Sequence, residues 1–127
     1  MGWMMRIRKG EIYLADLGNV ACADIGKVRP VLVFQNNMLN RMIEDGLYDD
    51  VVIIPLSSQI VNNDFGYLLK KREKLQKDSM ILCNAVKMIK SKRLLLEKGL
   101  LLTLTAKEFQ EVERRLSLLL DLSYLGQ

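Results

Sequence analysis

Six consecutive apolar residues, Val51-Val52-Ile53-Ile54-Pro55-Leu56, restrict the fold of this chain more than any other stretch. A run this short, uninterrupted and rich in β-branched side chains suits a strand covered on both faces. It is followed by the hydroxyl pair Ser57-Ser58 and then Gln59, so polar groups emerge where the core stops. Extended to Val61 the uncharged stretch still falls far below the roughly 20 residues that span a bilayer. With 127 residues, 50% of them hydrophobic, the chain can bury one sizeable core, which predicts a single domain over 1–127.

The flanking stretches supply partners for that strand. In Glu11 to Leu17, residues Ile12, Leu14 and Asp16 share one face and Tyr13, Ala15 and Leu17 the other. Val28 to Gln35 reads as a second strand, in which the missing N–H of Pro30 confines it to the strand's start or to an unpaired edge position. Between these strands, Gly18 to Lys27 has turn residues and no periodicity and reads as a surface loop. The polar segment from Asn36 to Asp50 predicts a long exposed connection with one helical turn. Phe65 to Leu69, Ser79 to Ile89 and Leu100 to Leu104 supply further strands.

A helix with clear start signals closes the chain. Thr105-Ala106-Lys107-Glu108 fits a capping box, and Phe109, Val112, Leu116, Leu119 and Leu120 recur at helical spacing, giving a stripe that covers the sheet. The fold class expected is mainly β, a small antiparallel sheet or barrel with a C-terminal amphipathic helix.

Composition narrows the chemistry. The chain has no histidine, which removes imidazole bases, His-ligated metals and His-relayed triads. Its net charge of +4 permits a polyanionic partner without requiring one. Cys22 and Cys83 lie far apart without a C-x-x-C pair, so two reduced thiols and no metal site are expected. The apolar run at Met1 to Met5 is too short for a signal peptide, which predicts a soluble cytoplasmic protein with no membrane partner.

Several stretches resemble the MazF/PemK family of toxin endoribonucleases. They are Lys9-Gly10-Glu11-Ile12-Tyr13-Leu14-Ala15-Asp16-Leu17, Gly26-Lys27-Val28-Arg29-Pro30-Val31-Leu32-Val33-Phe34-Gln35-Asn36, Ile54-Pro55-Leu56-Ser57-Ser58-Gln59, Lys77-Asp78-Ser79-Met80-Ile81-Leu82 and Lys90-Ser91-Lys92-Arg93-Leu94, in the family's order. The resemblance implies a compact SH3-like, CcdB-like β-barrel with added helices, commonly a homodimer. It implies cleavage of single-stranded RNA at short sequences without metal or cofactor. It also implies a cognate MazE-like antitoxin over the substrate groove and operator DNA bound through that complex.

By this resemblance Arg29 is the catalytic arginine. Its planar fork can hold two nonbridging phosphate oxygens, while an unperturbed guanidinium is a poor base near neutral pH, which favours an electrostatic role. Read from the residues alone, Arg29 as a strand-end salt bridge stays open. Ser57 stands where the family carries a catalytic Thr or Ser, with Ser58 beside it, and the alternative is a hydroxyl that satisfies the strand-end backbone. Asp24 stands where many members have Glu in a Gly-Ser-Glu-Gln stretch, and a carboxylate there could orient Arg29 or accept a proton. Here Cys22-Ala23-Asp24-Ile25 departs from that pattern.

Further RNA contacts are expected at Lys27 and at Gln35, Asn36 and Gln59, polar residues near strand exits that could read base edges. Lys70 and Lys71 open the densest basic stretch, a candidate phosphate track or else a solvated turn. Trp3, Tyr13, Phe65 and Tyr67 could stack on bases or belong to the core. Two other functions stay open at this level: a non-catalytic CcdB-like binder that poisons DNA gyrase, and a degenerate module that binds only antitoxin and operator DNA.

Overall fold

The computed structural model describes residues 6–18 and 28–123. Its elements are β1 (Glu11–Asp16), β2 (Val28–Val33), α1 (Asn37–Glu44), β3 (Asp50–Ser57), β4 (Gly66–Leu69), β5 (Ser79–Leu82), β6 (Lys87–Lys90), β7 (Leu100–Thr103) and α2 (Ala106–Leu120). The strands pair antiparallel in the order β4-β5-β3-β2-β1-β7, with β6 also on β3.

β3, the apolar run, is the hub. One edge pairs with β2, while the other takes β6 along Asp50 to Ile53 and then β5 at Leu56 and Ser57. Pro55 falls in the break between those two partners, where a strand tolerates a missing N–H. The change of partner divides the sheet and curls it into a half-barrel. Both faces of β2 and β3 are covered, as the sequence requires. Leu32, Ile54 and Leu56 enter the cluster that receives Val112 and Leu116 of α2, whereas Val31, Val33, Val51 and Ile53 pack with Ile43 of α1 on the other side. Each such side chain contributes about 1.5–3 kcal/mol by leaving water.

Gly10 holds the start of β1 between its neighbours. Its N–H donates to Val33 O at 2.9 Å and its carbonyl accepts from Leu104 N at 2.9 Å, in a backbone with φ +95° that favours glycine.

The capping box forms as expected: Thr105 Oγ1 accepts from Glu108 N at 3.2 Å and Glu108 Oε1 accepts from Thr105 N at 2.9 Å. Val112 and Leu116 are buried and Leu119 packs against the same cluster, but Leu120 is 55% exposed. The stripe is therefore one residue shorter than its spacing implied, because the last helical residue passes beyond the core.

The segment after β2 departs further from expectation. In place of a long exposed connection it holds the eight-residue α1, with Ile43 and Asn40 buried. Asn36 starts it, its side chain accepting from Leu39 N at 2.8 Å. Asn40 enters the interior because Nδ2 donates to Gln35 O at 3.0 Å and to Asn37 Oδ1 at 3.1 Å. Ser79 to Ile89 likewise divides into β5 and β6 around a 3-10 turn at Cys83–Ala85. Among the described residues no helix is long and apolar enough to cross a membrane.

Candidate active site

The register of β2 on β3 builds the site. Val31 lies opposite Pro55, Leu32 opposite Ile54 and Val33 opposite Ile53, so extending the ladder by two residues sets Arg29 across from Ser57. Pairing with β3 begins only at Val31, so Pro30 and Arg29 lie where the two strands have started to separate. The gap between them opens into a cleft of about 670 Å³ lined by Arg29, Ser57, Ser58 and Gln59. Arg29 Nη1 donates to Leu56 O at 3.2 Å, which ties the guanidinium to the strand that carries Ser57. Ser57 Oγ accepts from Gln59 N at 3.1 Å, a turn that fixes the position of the oxygen.

The facing wall is the turn between β4 and β5, which contributes Lys74, Leu75, Gln76 and Lys77. Asp78 Oδ1 accepts from Lys71 N at 2.9 Å, Lys74 N donates to Leu101 O at 3.2 Å, and the buried Leu75 anchors the middle of the turn in the core. The Lys71 N–H, with Lys70 nearby, holds the Asp78 carboxyl below its ordinary range. Arg72 faces away from the cleft lining. Its Nη1 and Nη2 donate to Glu108 Oε2 and Oε1 at 2.7 and 2.9 Å, and Nη2 also donates to Thr103 O at 3.2 Å. That fork, with the Thr105 N–H, holds Glu108 below the usual carboxylate range and raises Arg72 further.

The residues named from sequence separate into three groups. Arg29, Ser57, Ser58 and Gln59 come together in the cleft. Asp24, Lys27, Trp3 and Cys22 lie outside the described residues. Gln35, Asn36, Lys70 and Lys71 are placed elsewhere. Gln35 is 3% exposed and spends its amide on the scaffold, Nε2 donating to Asp50 O at 2.9 Å and Oε1 accepting from Val52 N at 3.2 Å. Asn36 is the cap of α1. These two corrections share a cause: both stand at the far end of β2 from Arg29, where the polar groups close the turn into α1. Lys70 pairs with Asp78 at 3.7 Å, and neither it nor Lys71 lines the cleft.

Tyr13 belongs to the core, its hydroxyl donating to Glu11 Oε1 at 2.8 Å, and Phe65 and Tyr67 pack against the α2 side. Cys83 is buried, which pushes its thiol up to about 11. Among the described residues no three of His, Cys, Asp and Glu gather to hold a metal ion. Sequence reasoning missed Gln76, Lys77 and Ser79 as cleft residues, whereas Lys74 belongs to the basic stretch Lys70 to Lys74 that was a candidate phosphate track. The available signal was Leu75, a lone leucine in a charged turn, which marks a turn tucked against the core.

Fold and cleft together define a small curled-sheet protein with a cationic groove where two central strands part. Residues 8–120 match the family of PemK-like, MazF-like toxins of type II toxin-antitoxin systems, and the chain belongs to that family. It is 34% identical over 121 residues to the endoribonuclease MazF of Staphylococcus epidermidis, covering 92% of this chain and 93% of that protein. Among solved structures, an endoribonuclease from mycobacterial species superposes with a TM-score of 0.71 at 18% identity, over 96% of this chain and 98% of the other. MazF in a MazE-MazF structure from Deinococcus radiodurans gives 0.67 at 18% identity, over 93% and 98%. A mycobacterial endoribonuclease in complex with its cognate antitoxin gives 0.70 at 19% identity, over 91% and 96%. The gyrase-poisoning alternative is not favoured, because family and relative alike point to an RNA-cleaving toxin.

Proposed function

We propose that residues 1–127 act as one MazF-like toxin domain that cuts single-stranded RNA, with Arg29 and Ser57 as the catalytic pair. The observation that carries this reading is their juxtaposition across the opening between β2 and β3, in a cleft whose described lining includes cations and no carboxylate. RNA brings its own nucleophile: the 2′-oxygen attacks the adjacent phosphorus, the O2′–P bond forms and the P–O5′ bond breaks. The 2′-hydroxyl proton is released and O5′ gains one, leaving a cyclic phosphate and a 5′-hydroxyl end. The guanidinium of Arg29 balances the charge that develops on the nonbridging oxygens, and the Ser57 hydroxyl donates to the same phosphate. This route asks the protein for alignment and charge rather than for a metal.

The same reading supplies the setting: a cytoplasmic homodimer, held inactive by a MazE-like antitoxin and bound to operator DNA through that complex. Asp24 and Lys27, which precede β2 in the sequence, complete the proposed set, Asp24 as a carboxylate that orients Arg29 or accepts a proton and Lys27 as an RNA contact.

The test is to incubate wild-type and Arg29→Ala protein with a long unstructured RNA in excess EDTA and map new ends by primer extension. Discrete metal-independent cuts by the wild type alone, ending in 5′-hydroxyls, are expected. Equal cutting by a folded Arg29→Ala protein would remove Arg29 from the chemistry, and no cutting by either would overturn the nuclease reading.

A further inference from the structure

The β4–β5 turn sorts its charges between two sides. Five cations lie between Lys70 and Lys77, opposed by Glu73 and Asp78. Both acids are engaged away from the cleft, Asp78 with Lys70 at 3.7 Å and Glu73 with Arg72 at 3.7 Å, and Glu108 of α2 takes the rest of Arg72. Lys74 and Lys77 are the two lysines of the turn that line the cleft, and among the described residues neither makes an ion pair. Their backbone is fixed. Lys74 N is bonded to Leu101 O, Lys77 O accepts from Ser79 Oγ at 2.9 Å, and the Leu75 side chain between them is buried. Two solvated ammonium groups are thus carried on a rigid edge across the cleft from Arg29 and Ser57.

From this geometry we infer that Lys74 and Lys77 are the phosphate clamp of the substrate groove, each holding an RNA phosphate that flanks the scissile one. This assignment rests on the nuclease reading and moves the phosphate track from Lys70 and Lys71 to the inward half of the same turn. A lysine acts here as a point charge on a flexible stem, so the clamp supplies affinity and register but no choice of base. An acidic protein segment would meet the same charges. Single-stranded RNA is favoured because the clamp shares one cleft with Arg29 and Ser57, so a chain lying across them presents consecutive phosphates to all four.

The experiment measures binding of a fluorescent single-stranded RNA carrying the mapped cleavage sequence, with 2′-O-methyl at every position so that no nucleophile remains. Each phosphate neutralised on a single strand contributes about 0.7 to the slope of log affinity against log salt. The Lys74→Ala/Lys77→Ala protein is expected to lose about 1.4 from that slope. Lys74→Arg/Lys77→Arg should restore the slope. The control is Lys70→Ala/Lys71→Ala, which removes the same charge from the outer side and should keep the wild-type slope. An unchanged slope in the inner variant, or an equal loss in the control, overturns the clamp while leaving the nuclease reading intact. An unchanged RNA slope with weakened antitoxin binding would reassign the wall to a protein contact. Should the double variant fail to fold, Lys74→Gln and Lys77→Gln measured singly, each losing about 0.7, decide the same question. Wild-type protein that neither binds nor cuts RNA overturns clamp and reading together.

Discussion

The cleft and the seam between the β4–β5 turn and α2 are both built around cations, and they differ in where the counter-charge sits. In the seam, Glu108 meets Arg72 through two bonds of 2.7 and 2.9 Å, and the same carboxylate accepts from Thr105 N in the capping box of α2. In the cleft, the described lining contains Arg29, Lys74 and Lys77 and no carboxylate. An arginine matched by an internal acid holds two elements together, whereas Lys74 and Lys77, which make no ion pair among the described residues, are ready for an anion from outside. The position of a few acids, more than the number of bases, divides the molecule into scaffold and site.

The largest expected effect comes from removing the cation on the cleft side. Arg29→Ala should lower single-turnover cleavage by about a thousandfold, near 4 kcal/mol of transition-state stabilisation, while the melting temperature stays within a degree or two of wild type. Arg72→Ala should give the opposite pattern. Loss of a bidentate, partly buried bond to a charged acceptor costs about 2 kcal/mol, which lowers Tm by roughly 6–10 °C at this chain length. The cleavage rate per folded molecule should not change. A comparable activity loss in both variants would mean that seam and cleft are one cooperative unit. A smaller effect is expected at Ser57, where removing one neutral hydrogen bond to the phosphate in Ser57→Ala slows cleavage about tenfold. Ser57→Thr, which keeps the hydroxyl, should stay near wild type in the same single-turnover assay.

The seam was more legible in the sequence than the cleft, and the reason is range. A capping box is a local signal, written in Thr105 and Glu108 three residues apart, and the both-face burial of β3 follows from its own run of apolar residues. Arg29 and Ser57 were named through the family resemblance, and the register between distant strands places them together. The α1 helix was hidden because its inward positions include Asn40, and a polar side chain satisfied by Gln35 and Asn37 has the same letter as one facing water. For the same reason Gln35 and Asn36 read as candidates for base contacts although the scaffold uses both. Lys70 and Lys74 are equally indistinguishable in sequence. Burial of Leu75 and the direction in which Asp78 reaches decide which lysines face the cleft.

The finest distinction between the two regions is expected in acid. The bond from Arg72 holds Glu108 ionised at lower pH than in the unfolded chain, and the Thr105 N–H adds to it. A carboxylate with a lowered folded pKa stabilises the protein in full above its unfolded value, about 4.3, and that contribution is lost as pH falls through the folded value. Glu108→Gln has no such proton to take up. The Tm difference between wild type and Glu108→Gln should therefore be constant from about pH 7 to about pH 5 and shrink below about pH 4. Asp78 and Glu111, which are also held low, titrate in both proteins and cancel in the difference. The same comparison made on an Arg72→Ala background should be nearly flat, since the first cause of the shift is gone. On an Arg29→Ala background it should keep its full shape, because the cleft arginine plays no part in holding Glu108. Calorimetric melts of these pairs across that range measure how completely seam and cleft are uncoupled, and a flattened difference in the Arg29→Ala pair would show that the charge of the site reaches the seam.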